Sequence, residues 1–183
     1  INLKDFEVQS NVVRSSLRRM NFQTQSLLTT RAPIIEISVN WTNRINEFER
    51  DLERLTRYST SSVLTSTQRK QLSELTGWWE QIYQWYYKPA IDHLQKMQTG
   101  EAGRAIGTQG ILRTLLEIET AETEPPAYMG ELYTIRNYRE HMMDETQTFT
   151  TRLIDLTTGI QKQINLNIQN STRIVVALIV LTI

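Results

Sequence analysis

The chain of 183 residues contains no cysteine. Disulfides, thiolate nucleophiles and Cys-ligated metal sites are therefore excluded. Histidine is nearly as scarce. His93 and His141 are the only two, in separate segments and not in a His-x-x-x-His pair, so a zinc site is not expected. Neither sign of charge is in excess: Lys+Arg and Asp+Glu both number 20. A nucleic-acid partner would call for a basic face, and none is expected. Sustained two-residue alternation is missing, which removes the strand-rich classes. Prolines number four, and the glycines crowd at Gly100, Gly103, Gly107 and Gly110. No strand precedes those glycines and no Gly-Lys-Ser/Thr follows, so they read as a helix–helix connection and not a phosphate loop. A nucleophile elbow is also wanting. No catalytic residue, metal or cofactor is assigned.

What is present is helical periodicity. A first stripe runs through Leu3, Phe6, Ser10, Val13, Leu17, Met20, Thr24, Leu27 and Arg31. It resumes after Pro33 as Ile34, Ile37, Trp41, Ile45, Phe48, Leu52 and Leu55, in the same register. That continuity predicts one helix kinked at Pro33 and not a hairpin. A Ser/Thr-rich turn over Tyr58–Ser66 follows, with Ser66 the expected N-cap. The spacing predicts a second helix over about Thr67–Gln98, with Leu72, Leu75, Trp79, Ile82, Tyr86, His93 and Met97 inward and a bend near Trp85 ahead of Pro89. Thr99–Gly110 reads as a loop with a short helical turn, and a third helix covers about Thr108–Glu122. Pro125-Pro126 ends it. A long last helix then carries Leu132, Ile135, Met142, Phe149, Leu153, Leu156 and Ile160 at 3–4 spacing.

After Arg173 that pattern gives way to an apolar run from Ile174 to Ile183. Ten residues rise ~15 Å, about half of a hydrocarbon core, so residues 174–183 read as the start of a transmembrane helix. Residues 1–173 then form a water-exposed helical domain. An ideal rise puts the tip of a continuous first helix ~80 Å from Leu3, and the later segments return the chain to nearly the same level at Ser171. The expected fold is all-α: an elongated antiparallel four-helix bundle, up-down-up-down, with long first and last helices. A proximal two-helix stalk would bury little, which favours a homodimer.

Gln68-Arg69, Leu72, Leu75, Trp79, Pro89-Ala-Ile91, a break at Gly100 and Gly107, and Ile111-Leu-Arg113 leading to Glu119 carry a resemblance. Over about Thr67–Glu119 the chain resembles the third class of CHASE domain, found on histidine kinases and nucleotide cyclases. The Glu-Thr-Gly…Arg-Gly-Tyr pattern of that class is absent. The layout is similar also to the helical ligand-binding domains of chemoreceptors and helical bimodular sensors. The resemblance implies a homodimeric sensor at the bacterial inner membrane, facing the periplasm or exterior. It would pass a ligand signal to a cytoplasmic kinase, cyclase or methyl-accepting module, as part of a two-component or chemotaxis system.

Two sets of residues are candidates for a site. Arg31, His93, Arg113 and Arg139 fall at one height in the continuous-helix reading, near Pro33 and Pro89. Cations gathered at one level repel unless an anion sits among them, which points to a small anionic ligand such as an organic acid. A plainer reading pairs them with Glu36, Glu117 or Asp144. In Trp78-Trp79-Glu-Gln-Ile-Tyr83-Gln-Trp85-Tyr86-Tyr87, Trp79 reads as core. Trp78 and Trp85, seven apart, share a flanking face suited to a dimer contact or a ligand wall, or else thicken the distal core. A periplasmic binding protein is a further possible partner. The alternative function is a tail-anchored helical-bundle interaction protein facing the cytosol, akin to a syntaxin-like fusion protein.

Overall fold

The computed structural model describes residues 3–181, with side chains for residues 3–174. The side chains of the expected membrane segment beyond Ile174 lie outside the described residues. Among the described residues the regular structure is all helical, without a strand. In order come α1 (Leu3–Ser26), α2 (Ile34–Thr56), a 3-10 turn (Arg57–Thr60), α3 (Ser66–Ile82), a π-helical turn (Tyr83–Tyr87), α4 (Lys88–Thr99), α5 (Glu101–Ile106), α6 (Ile111–Thr120) and α7 (Met129–Leu181). Among these residues no helix is long and apolar enough to cross a membrane.

The break before Pro33 is a reversal, which corrects the kinked continuous helix. The Ser26 carbonyl accepts from the amides of Thr29 and Thr30, closing α1. Gln9 then reaches the Asp51 carbonyl at 3.1 Å, Arg19 meets Glu47 at 2.7 Å, and Trp41 donates to Thr24 at 3.0 Å. Residue numbers rise along α1 as they fall along α2, so the two lie side by side. The stripe misled because a 3–4 repeat is indifferent to direction. Each arm buries its own stripe against the other, and the register carried across the turn is compatible with both shapes.

The fold-back halves the height. With 24 residues, α1 spans ~36 Å, not ~80 Å. Four segments reach the end where α1 begins: Phe6 lies edge-on to Tyr58 at 5.3 Å, Gln68 donates to Gln163 at 2.7 Å, and Gln161 donates to Glu7 at 3.0 Å. The expected two-helix stalk is therefore not found among the described residues. Only α7 continues past this level, and residues 165–174 are exposed.

The stripes on α1, α2 and α7 are buried as their spacing predicts, from Phe6 to Leu27, Ile34 to Leu55 and Leu132 to Ile160. The stripe through α3 and α4 is correct up to Ile82 and then slips by one residue. Tyr87, Ala90 and Leu94 are buried where Tyr86 and His93 were expected, while Met97 is buried as expected. The cause is the π turn, in which the Lys88 amide bonds five residues back to Tyr83. One extra residue per turn moves every later side chain around the axis. Pro89 has no N–H to restore the α pattern.

The helix ends follow local chemistry. α3 is capped by Thr65, not Ser66, in a reciprocal box with Gln68. α6 begins at Ile111, later than expected, because Gly107 and Gly110 take positive φ of 50° and 92°. The Leu112 amide at the start of α6 donates to the Leu28 carbonyl at 2.8 Å, docking α6 on the α1–α2 turn.

Two glycines make opposite predictions. Gly77 lies within α3 with nothing within 4 Å of an added methyl, so Gly77→Ala should raise unfolding stability by about 0.5–1 kcal/mol. At Gly103 in α5 a methyl would sit 2.5 Å from the Met97 carbonyl oxygen and 2.7 Å from that of Gln98. Gly103→Ala should lower stability by about 1–3 kcal/mol despite the helix preference for alanine. Urea denaturation checks both, and equal gains would contradict this packing.

Candidate functional sites

Aromatic rings fill the middle of the molecule. Trp79 lies 4.6 Å from Phe48, 5.3 Å from Tyr87 and 6.0 Å from Phe149, joining α2, α3, the π turn and α7. Buried polar ends find partners: Trp41 donates to Thr24, and Trp79 donates to Glu49 at 3.2 Å. Burial pushes the Tyr87 phenol far above its ordinary range. The Glu49 carboxyl is raised by burial, the hydrogen bond from Trp79 acting the other way. By contrast, hydrogen bonds from Arg44 and Arg19 hold Glu47 below its ordinary value.

The structure separates Trp78 from Trp85. Trp78 is half-buried against Phe149 at 6.1 Å, with the Arg152 guanidinium 4.2 Å over its ring. Trp85 lies on the π turn and is 63% exposed. Seven residues return to one face only if the helix stays α, and the π turn begins at Tyr83, before Trp85 is reached.

The four cations each have a distinct setting. Arg31 is exposed in the α1–α2 turn. Arg113 is exposed and pairs with Glu117 at 3.0 Å, the plainer reading. Arg139 donates from Nη2 to the Gln25 carbonyl at 3.1 Å. That carbonyl lacks its helical donor, because the Thr29 amide goes to Ser26 instead. Arg139 thus closes the C-terminal end of α1, where a cation also suits the helix dipole. His93 is half-buried on α4, with Nε2 3.1 Å from the Glu131 carbonyl. A carbonyl only accepts, so Nε2 is the donor in this contact.

Of these four, His93 alone lines a surface hollow of about 390 Å³ beside the π turn, with Lys88, Asp92, Lys96 and Tyr138. Reading the sequence missed the lysines because they were sought on the inward stripe. Their signal was the spacing Lys88, Asp92, Lys96, which puts all three on one helix face. A second hollow of about 270 Å³ between α3 and α7 is lined by Glu74, Arg152 and Asp155. Among the described residues no group of three His, Asp or Glu side chains is placed to hold a metal ion.

No family model, curated protein or solved structure matches this chain.

The Glu49 environment gives a pH prediction. Its folded pKa lies above the ordinary 4.5, so its stabilising contribution is present below that value and is lost as pH rises through the folded value. At pH 7 the buried charge opposes folding. Glu49→Gln keeps an acceptor for Trp79 and removes the charge. It should be more stable than the parent at pH 7, with the gain shrinking towards pH 4.5. Thermal unfolding across that range checks it, and a pH-independent difference would contradict the assignment.

Proposed function

We propose that the chain is an extracytoplasmic sensor domain of a bacterial transmembrane signalling receptor, built as an antiparallel up-down-up-down four-helix bundle. The observation that carries the reading is the Gln161–Glu7 contact at 3.0 Å. It sets the first and last helices side by side at the end from which α7 runs on to Leu181. The apolar run after Arg173 supports a membrane at that end.

The bundle reading is supported by contacts that pair neighbouring segments in opposite senses. Along α3, α4 and α7, Gln68 meets Gln163, Trp79 meets Phe149, and His93 meets Glu131. Trp79 with Glu49 and Trp41 with Tyr87 do the same for α2 and the α3–α4 segment.

A sensor must let its last helix shift against its first. Ser10 and Ser16 are buried polar residues of α1, and each hydroxyl donates to a carbonyl of its own helix. Groups satisfied locally do not pin one helix to its neighbour through those bonds, so small displacements break few of them. Val8, Val12 and Phe22 on α1 and Leu166 and Ile168 on α7 are exposed apolar side chains. A second copy of the chain would cover them in the homodimeric receptor.

The alternative, a cytosol-facing tail-anchored protein, draws on the unbroken 53 residues of α7. Topology separates the two. Glu122 is exposed in the segment between α6 and α7. In intact bacteria producing the full-length protein, a Glu122→Cys variant lacking other reactive thiols should be labelled by a membrane-impermeant maleimide. Labelling only after lysis would overturn the sensor reading in favour of the alternative.

A further inference from the structure

Tyr87 is wholly buried, and its ring is held between Trp79 at 5.3 Å and Trp41 at 5.6 Å. The ring is fixed by that packing, and the freedom left to the side chain is rotation of its O–H bond. Two threonines from different helices bond to the hydroxyl. Thr24 of α1 is one, with the oxygens 3.5 Å apart, and Thr146 of α7 is the other. Both threonines are buried. Burial holds the phenol protonated far above its ordinary range, so the hydroxyl keeps its proton at neutral pH.

The cluster is one proton short. The Thr24 hydroxyl donates to the Met20 carbonyl at 3.0 Å, and the Thr146 hydroxyl donates to the Met142 carbonyl at 2.7 Å. Each threonine proton is committed within its own helix, so towards Tyr87 each oxygen only accepts. The Trp41 indole N–H is committed to Thr24 at 3.0 Å. Tyr87 therefore faces two acceptors with one proton. The acceptors are unequal. Thr24 already receives Trp41, whereas among the described residues nothing else donates to the Thr146 oxygen. The separation of 3.5 Å from Thr24 is also long for an O–H···O bond. Both facts place the proton on Thr146.

We propose that the Tyr87 hydroxyl is a two-position toggle between the first and last helices, resting on Thr146 of α7 and passing to Thr24 of α1 when α7 moves away. At rest it ties the π turn to α7. A shift of α7 lengthens the Thr146 bond. Rotation of one O–H bond then hands the proton to Thr24, which has a lone pair left beside the one that receives Trp41. The buried donor is not stranded, so the shift exchanges one hydrogen bond for another instead of losing it. Displacement of α7 relative to α1 thereby acquires two discrete positions. The device depends on the π turn, which brings Tyr87 into the core at all. The toggle stands on the buried cluster, and its use in signalling rests on the sensor reading above.

Redundancy is the signature of such a toggle, and urea unfolding of the full chain reads it. Each threonine stands in for the other, so replacing both should cost more than the two single changes combined. The unfolding constant of the Thr24→Val, Thr146→Val double variant should exceed the additive expectation by about tenfold. In a Tyr87→Phe background the excess should vanish, because no proton is left to strand. The acceptor that Trp41 loses in Thr24→Val is lost in both backgrounds and cancels. Additive effects in the parent background would overturn the toggle, and so would an excess that survives Tyr87→Phe. Proton NMR gives a readout that needs no double variant. The NOE from the Tyr87 hydroxyl proton to the Thr24 methyl should be weak in the parent and strong in Thr146→Val. An NOE of equal strength in the two would overturn the proposal. Additive energetics alongside maleimide labelling of intact cells would remove the toggle and spare the receptor; the redundancy signature with labelling only after lysis would do the reverse.

Discussion

The packing of Trp79 among Phe48, Tyr87 and Phe149 is the constraint from which the rest of the molecule follows. Those rings come from α2, α3, the π turn and α7, and edge-to-face contact with Phe48 and Phe149 and tilted contact with Tyr87 fix how close and at what rotation these elements meet. Once Trp79 is inward, Leu72 and Leu75 must be inward too, and α3 is oriented along its length. For Tyr87 to join the same cluster eight residues later, the helix must be rephased. An α-helix turns eight residues through ~800°, which leaves Tyr87 well off the direction of Trp79. The π turn, which rotates less per residue, removes that excess of about 80°. It is the local distortion that lets Trp79 and Tyr87 share one core.

That distortion has consequences on the outer surface. Rephasing withdraws His93 and Tyr86 from the core and lifts Trp85 into solvent. Tyr86 stacks instead on His141, and His93 turns to the start of α7. The turn that completes the core thus also makes the hollow beside it.

Along α1, Ser10 and Ser16 are buried with hydroxyls that bond within their own helix. An apolar contact of the same size would be stronger and would resist shear. Serines at such positions sacrifice some of that strength, and the helices are joined instead by longer side-chain cross-links. The exposed Gln161–Glu7 pair and the Arg139 bond to Gln25 are such cross-links, and each leans on a long side chain that can follow a small shift. The proposed sensor needs that compromise, because a rigidly welded pair of helices would transmit nothing.

By itself the sequence determined the helical class, the inward stripes on α1, α2 and α7, the core position of Trp79 and the break after Pro126, because these depend on periods and residue types that act over a few turns. Ser10 and Thr24 were legible as inward for the same reason. Tertiary structure alone decided that the chain reverses at Leu27–Pro33, since a repeating stripe holds no information about the direction of the next helix. It also decided that one extra residue is taken up between Tyr83 and Tyr87, which moved His93 off the core and separated Trp78 from Trp85. The partners of Arg139 and Arg113 divide the same way. Glu117, four residues from Arg113, was within reach of sequence reasoning, whereas the Gln25 carbonyl became a partner for Arg139 only when α1 ended beside α7.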